Sequence, residues 1–194
     1  DDLEALRWMK HVSYFEQGKM TLSNINRYLK DLELNYNDTK EAEIDVRNFS
    51  LLGKDKRAIS MDLPSLADSK NEAEVIGIPI DKPGFYVLEA SSATLGKNLT
   101  LSGEPMYVRS AVLVTNLSTH LKCSEQGAMA WVTRLSDGQP VTNAQVQLFT
   151  DDGTKVASGK TNEHGVYNYQ GNVISCYRLW ASTKIDANHP QSYG

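Results

Sequence analysis

Residues 138–149 read GQPVTNAQVQLF and residues 151–167 read DDGTKVASGKTNEHGVY. Together these two runs decide the fold class. Ala144, Val146 and Leu148 alternate with Gln145 and Gln147, the period of a strand with one face in a core and the other in water. Asp151-Asp152-Gly153 is a hairpin signal, and Gly165 closes a second turn after Asn162-Glu163-His164; both glycines suit backbone with positive φ. Gly138 and Pro140 shape the crossover into the alternating strand. Residues 156–160 and 166–169 then read as further strands.

Working outward, residues 177–184 complete the set on one side. On the other, Met129-Ala130-Trp131-Val132-Thr133 precedes the turn Ser136-Asp137-Gly138, and residues 106–122 have strand composition interrupted at Asn116-Leu117-Ser118. Short strands at this spacing, separated by turn residues, predict an all-β sandwich.

The first hundred residues read differently. Leu6, Met9, Val12 and Phe15 recur at three-residue steps behind a possible capping box at Asp1 and Glu4, and Gly18 ends that helix. A second helix opens at Thr21, with Leu22, Ile25, Leu29 and Leu32 on one side and Tyr28 beside them. After Asn35 the period becomes two: Ile44 and Val46, then Ile59, Met61 and Leu63 beyond a turn at residues 53–56. Asp81-Lys82-Pro83-Gly84 leads into a third strand, FYVLEA, at residues 85–90. Residues 93–105, rich in Gly, Ser and Thr, separate this part from the cleaner β unit. The expectation is therefore a mainly β chain of two Ig-like sandwich domains, residues 1–106 with a helical segment and residues 107–194. Three strands and two helices make a poor sandwich, so the first domain is expected to lack its first strands.

Composition narrows the function classes. The chain has 194 residues, 40% hydrophobic and 23% charged, with a net charge of -4. These are values of a folded protein with scattered charge, and no basic face suits nucleic acid. No apolar run approaches the roughly 18 residues that cross a bilayer, and the first residues carry no leader pattern, so any targeting signal is expected outside this sequence.

In the second half the pattern resembles bacterial surface and periplasmic Ig-like domains. A longer frame narrows it: PGFYVLEA at residues 83–90, MYVRSAVLVTNL at 106–117 and AWVTRL at 130–135. That order is similar to consecutive macroglobulin-like domains of bacterial α-macroglobulins, over most of residues 42–170. The resemblance implies seven-stranded sandwiches within a long periplasmic lipoprotein anchored to the inner membrane, which traps and inhibits proteases. It makes this chain scaffold: not an enzyme, without cofactor or metal, with neighbouring domains and trapped proteases as partners, and without direct membrane contact. The alternative is an Ig-like binding module of a surface adhesin, presenting loops such as 151–154 or 162–165.

Several motifs have plainer readings beside the functional ones. Cys123-Ser124-Glu125-Gln126 matches the family's C-x-E-Q thioester pattern, yet its flanks have strand character, which favours a hairpin turn. His11, His120, His164 and His189 show no paired spacing of metal ligands and read as surface histidines. The acidic residues read as turn and outward strand positions. Asn37, Asn48, Asn98 and Asn116 each begin an N-x-S/T pattern, read here as polar turn and strand residues. The two cysteines allow one bridge. In a sandwich the strand ending at Cys123 and the one beginning after Cys176 reach the same end, so a Cys123–Cys176 disulfide is expected, with two buried thiols or a thioester as alternatives.

Overall fold

The computed structural model describes residues 2–16, 18–30, 43–63, 75–150, 152–173 and 179–184. The elements run α1 (Asp2–Tyr14), β1 (Lys19–Thr21), α2 (Leu22–Leu29), β2 (Glu43–Asp45), a 3-10 turn (Val46–Asn48), β3 (Gly84–Ser92), α3 (Ala93–Leu99), β4 (Met106–Val114), β5 (Leu117–Ser124), β6 (Gly127–Arg134), β7 (Gln145–Thr150), β8 (Lys155–Lys160), β9 (Val166–Gln170) and β10 (Leu179–Lys184). The chain divides into two compact units. A β unit takes residues 111–194 with 1–6 and 82–86, and a mixed unit takes residues 7–81 and 87–110.

Six strands of the β unit form two antiparallel sheets of three, ordered β5-β6-β9 and β10-β7-β8. Seven strands are expected of such a sandwich; among the described residues six enter these sheets, and the end of β4 (residues 111–114) lies in the same unit. The core is made by the inner faces. Leu117, Ala128, Ala130 and Val132 from one sheet meet Ala144, Val146 and Leu148 from the other, with Val141 and Val173 closing the ends. Ala144, Val146 and Leu148 are fully buried, as their alternation predicts.

The turns carry the conformations that their residues suit. Gly138, Gly153 and Gly165 have φ of +69°, +87° and +73°. Gly165 is also a close approach: a Cβ there would meet the Val132 carbonyl oxygen and the Pro140 ring, so both φ and space exclude a side chain. Buried Thr161 braces the loop that enters β7. Its hydroxyl donates to the Val141 carbonyl at 2.6 Å and accepts from the Ala144 amide at 2.9 Å, satisfying two buried backbone groups. In the β7–β8 turn the Asp152 carboxylate accepts from the Thr150 hydroxyl and from the Thr154 amide, which lowers its pKa to about 2. The carboxylate's contribution to that turn is present above the ordinary aspartate value and is lost as pH falls toward about 2.

In the mixed unit, α2 opens at Thr21 as expected; Thr21 is its cap, with Oγ1 accepting from the Asn24 amide at 3.2 Å, and Ile25 is fully buried. Helix α1 buries Trp8, His11 and Val12, with Phe15 just past its end also buried, whereas Met9 is 42% exposed. The reason is geometric. At 3.6 residues per turn a strict three-residue repeat drifts about 60° per step, so the buried stripe follows steps of three and four instead. His11, read as a surface histidine, thus lies on the inner face at 4% exposure.

Two further readings change. Residues 58–63, expected as a strand, have no regular structure and are exposed throughout; among the described residues their alternation finds no partner edge. Residues 93–99, read as part of a separator, form α3, capped by the Ser92 hydroxyl accepting from the Leu95 amide at 3.2 Å. The Asp1–Glu4 capping box involves Asp1, and Leu32 and His189 complete other readings; all three lie outside the described residues.

Candidate functional site

The most strongly built polar site lies in the mixed unit. Strands β3 and β4 pair, and each carries one charge in an otherwise apolar run: Glu89 in FYVLEA and Arg109 in MYVRSAVLV. Arg109 Nε donates to Glu89 Oε2 at 3.0 Å, with side chains only 3% and 6% exposed. Ionised groups are excluded from such surroundings unless they are paired and fully bonded.

Both partners are. Glu89 also accepts from the Ser50 hydroxyl at 2.6 Å and the Leu51 amide at 2.7 Å. Arg109 Nη2 donates to the Val46 carbonyl at 3.0 Å, and the guanidinium lies 5.6 Å from the Phe15 ring centroid, in cation–π range. Phe15 in turn packs against Phe49 at 5.6 Å between centroids. The pair therefore fastens residues 46–52 and the end of α1 to the β3–β4 ribbon. Chemically it is a closed set of donors and acceptors, suited to holding backbone in place. The reading of acidic residues as turn and outward positions missed Glu89; the signal available was a single charge in the middle of each of two apolar strands.

The N-x-S/T asparagines have structural work. Asn48 Nδ2 donates to Thr100 Oγ1 at 3.1 Å and to the Glu104 carbonyl at 2.9 Å, while Ser102 donates to its Oδ1 at 2.9 Å. Asn98 Nδ2 donates to the Thr94 carbonyl at 2.9 Å. Asn116 holds the β6–β7 turn, donating to Ser136 Oγ at 3.1 Å and accepting from the Ser136 amide at 2.9 Å. Asn37 lies outside the described residues.

The C-x-E-Q stretch is a hairpin turn. Cys123 pairs with Ala128 and Ser124 with Gly127 across β5 and β6, leaving Glu125 and Gln126 exposed at the tip. Their carbonyls accept from the Val173 and Gly171 amides at 3.0 and 3.1 Å. Cys123 is half-buried against the sandwich core, and no cysteine among the described residues is free. Cys176 lies outside them.

The remaining histidines are apart. His120 is exposed on the outer face of its sheet and stacks on Trp131 at 5.4 Å between centroids; His164 sits in an exposed turn 3.6 Å from Glu163. Among the described residues no group of three or more His, Cys, Asp or Glu converges as a metal site would require. No helix there is long and apolar enough to cross a membrane. The exposed turn acids take local partners: Asp137 is held below the usual carboxylate range by the Arg134 guanidinium, then by the Gln139 amide.

Residues 114–188 match the family model of the bacterial alpha-2-macroglobulin MG3 domain. That span holds both sheets of the β unit. Crystal structures of native alpha-2-macroglobulin from Escherichia coli are also similar, one spanning domains NIE-MG1 and one spanning MG0-NIE-MG1, each at 9% identity over 44% of this chain. Their TM-scores are 0.37 and 0.36, and the matches span 38% and 26% of those chains. No curated protein sequence matches the chain. Over residues 114–188, then, this chain is similar to the MG3 domain of bacterial alpha-2-macroglobulin.

Proposed function

We propose that the chain is non-enzymatic scaffold of a bacterial α-macroglobulin that traps and inhibits proteases. The observation that carries this is the MG3 match over a sandwich whose inner residues are fully buried. Support comes also from the mixed unit, where the strongest polar cluster is spent on fastening backbone. The partners on this reading are neighbouring domains of one long chain, and proteases meet the whole molecule. On this reading the parent lies in the periplasm, lipid-anchored to the inner membrane, with the present residues away from the bilayer. Within this chain, residues 1–106 are one macroglobulin-like domain and residues 107–194 another.

The test is inhibition measured with a protein substrate too large to enter a trap. The chain alone is expected to leave a panel of proteases fully active, whereas the parent inhibits them and loses that ability when residues 114–188 are deleted. Stoichiometric inhibition by the chain alone, or undiminished trapping by the deleted parent, would sink the reading.

We further propose the Cys123–Cys176 disulfide. Its support is the position of Cys123 at the end of β5, whose Thr119 hydroxyl meets that of Thr183 in β10 at 2.7 Å, bringing the strand that follows Cys176 alongside β5. Such a bridge contributes about 2–4 kcal/mol. The intact mass of non-reduced protein is expected to fall short of the sequence mass by two hydrogens. The full mass would mean free thiols, and a deficit of one ammonia would mean a thioester.

A further inference from the structure

We infer that residues 54–63 form a proteolytic modification site, at which a trypsin-class endopeptidase cuts first, after Lys56 or Arg57, and leaves the mixed unit folded. Such an enzyme hydrolyses the peptide bond after a basic residue: water adds to the carbonyl, a carboxylate is left on that residue and an amine on the next. Its specificity pocket offers a carboxylate to the basic side chain. What it needs from the substrate is a basic residue on backbone that can leave the fold and lie extended in a cleft.

Residues 54–63 meet those needs together. Lys56 and Arg57 are adjacent and exposed, and every residue from Lys56 to Leu63 is exposed, Ile59 at 96%. The backbone here makes turn bonds, from the Asp55 amide to the Leu52 carbonyl at 2.9 Å and from the Ala58 amide to the Asp55 carbonyl at 3.0 Å, and the Arg57 amide donates to Asp55 Oδ1 at 2.9 Å. From Ile59 to Leu63 no hydrogen bond is made among the described residues. Arg57 pairs with Asp55 at 2.8 Å; the Asp55 side chain is 9% exposed, but that of Arg57 is 66% exposed, so its guanidinium is reachable from solvent.

Several other basic residues among the described ones are less available. Lys10, Lys122 and Lys160 lie within helices or strands, and Arg109 is buried. Lys82 is in irregular chain, but Pro83 follows it, and a proline ring with fixed φ fits poorly on the leaving side of the cut.

The fold on the near side of the cut is pinned independently. Ser50 and Leu51 are bonded to Glu89, and Val46 to Arg109, so the residues before position 56 stay tied to β3 and β4 after the chain is broken. This inference stands whether or not the scaffold reading holds.

Limited digestion of the whole chain with trypsin, followed by intact-mass measurement of the first products, tests it. The expected first cut gives a piece ending at residue 56 or 57 and its complement, which coelute on native size exclusion and separate only in denaturant. The double variant Lys56→Gln/Arg57→Gln is expected to keep its melting temperature and to lose that cut, with overall first cleavage slowed several-fold. A first cut after any other residue, fragments that part without denaturant, or an undiminished rate in a folded double variant would overturn the inference.

Discussion

Replacing Arg109 with leucine is expected to cost about 3–5 kcal/mol of the mixed unit's stability. The change removes the Arg109 cation from Glu89, whose side chain is 6% exposed, and leaves that carboxyl group without its charge partner in a nearly dry site. It also strips the donor from the Val46 carbonyl and the cation from the face of Phe15. A buried acceptor left without a partner carries its own desolvation penalty of about 1–3 kcal/mol. Leucine cannot recover either loss, although it fills much of the aliphatic volume.

Equilibrium urea unfolding checks this through the shift in midpoint. Glu89→Gln should also destabilise, since it leaves the guanidinium unpaired. The double variant Arg109→Leu/Glu89→Leu should lose less than the sum of the two single leucine variants, because neither then strands a charge. A loss below about 1 kcal/mol for Arg109→Leu would place the pair in the class of solvated surface bridges, and the fastening role of residues 46–52 would fail with it.

Leu148→Ala is expected to cost the β unit about 2–5 kcal/mol, the sum of lost transfer free energy and the cavity left between two sheets. Leu148 is fully buried in β7, the middle strand of its sheet, so neighbours on both sides resist collapse into the gap. Ile59→Ala provides the contrast. Ile59 is 96% exposed and touches no sheet, so its truncation should change stability by no more than about 0.5 kcal/mol. Thermal unfolding followed by circular dichroism separates the two. Equal effects would mean that the inner face of β7 is not the core of the unit.

Much of the β unit was legible because its signals are local. Asp-Gly and Asn-rich turns fix where the chain reverses, and a period of two records which side chains share a face. From residues 138–167 alone these rules yield β7, β8 and β9 and the inward set Ala144, Val146 and Leu148. The Thr21 cap of α2 was legible for the same reason, since its bond reaches only three residues ahead.

What alternation cannot record is a partner. Residues 58–63 alternate as well as residues 144–149 do, yet among the described residues no strand pairs with them, and the same pattern ends as exposed chain. The candidate site was hidden for a related reason: Glu89 and Arg109 stand 20 positions apart, and Arg109 reaches Val46 across 63. Contacts of that span exist only after the chain has closed around them.

Sequence by itself thus determined a mainly β chain, the turns and inner face of its second half, and a helical start. Only the tertiary structure decided the strand order β10-β7-β8 against β5-β6-β9, the burial of His11 and the pairing of Glu89 with Arg109. The physical reason is that short-range preferences choose a residue's conformation and face, whereas the desolvation of a charge depends on which distant strand supplies its counter-ion.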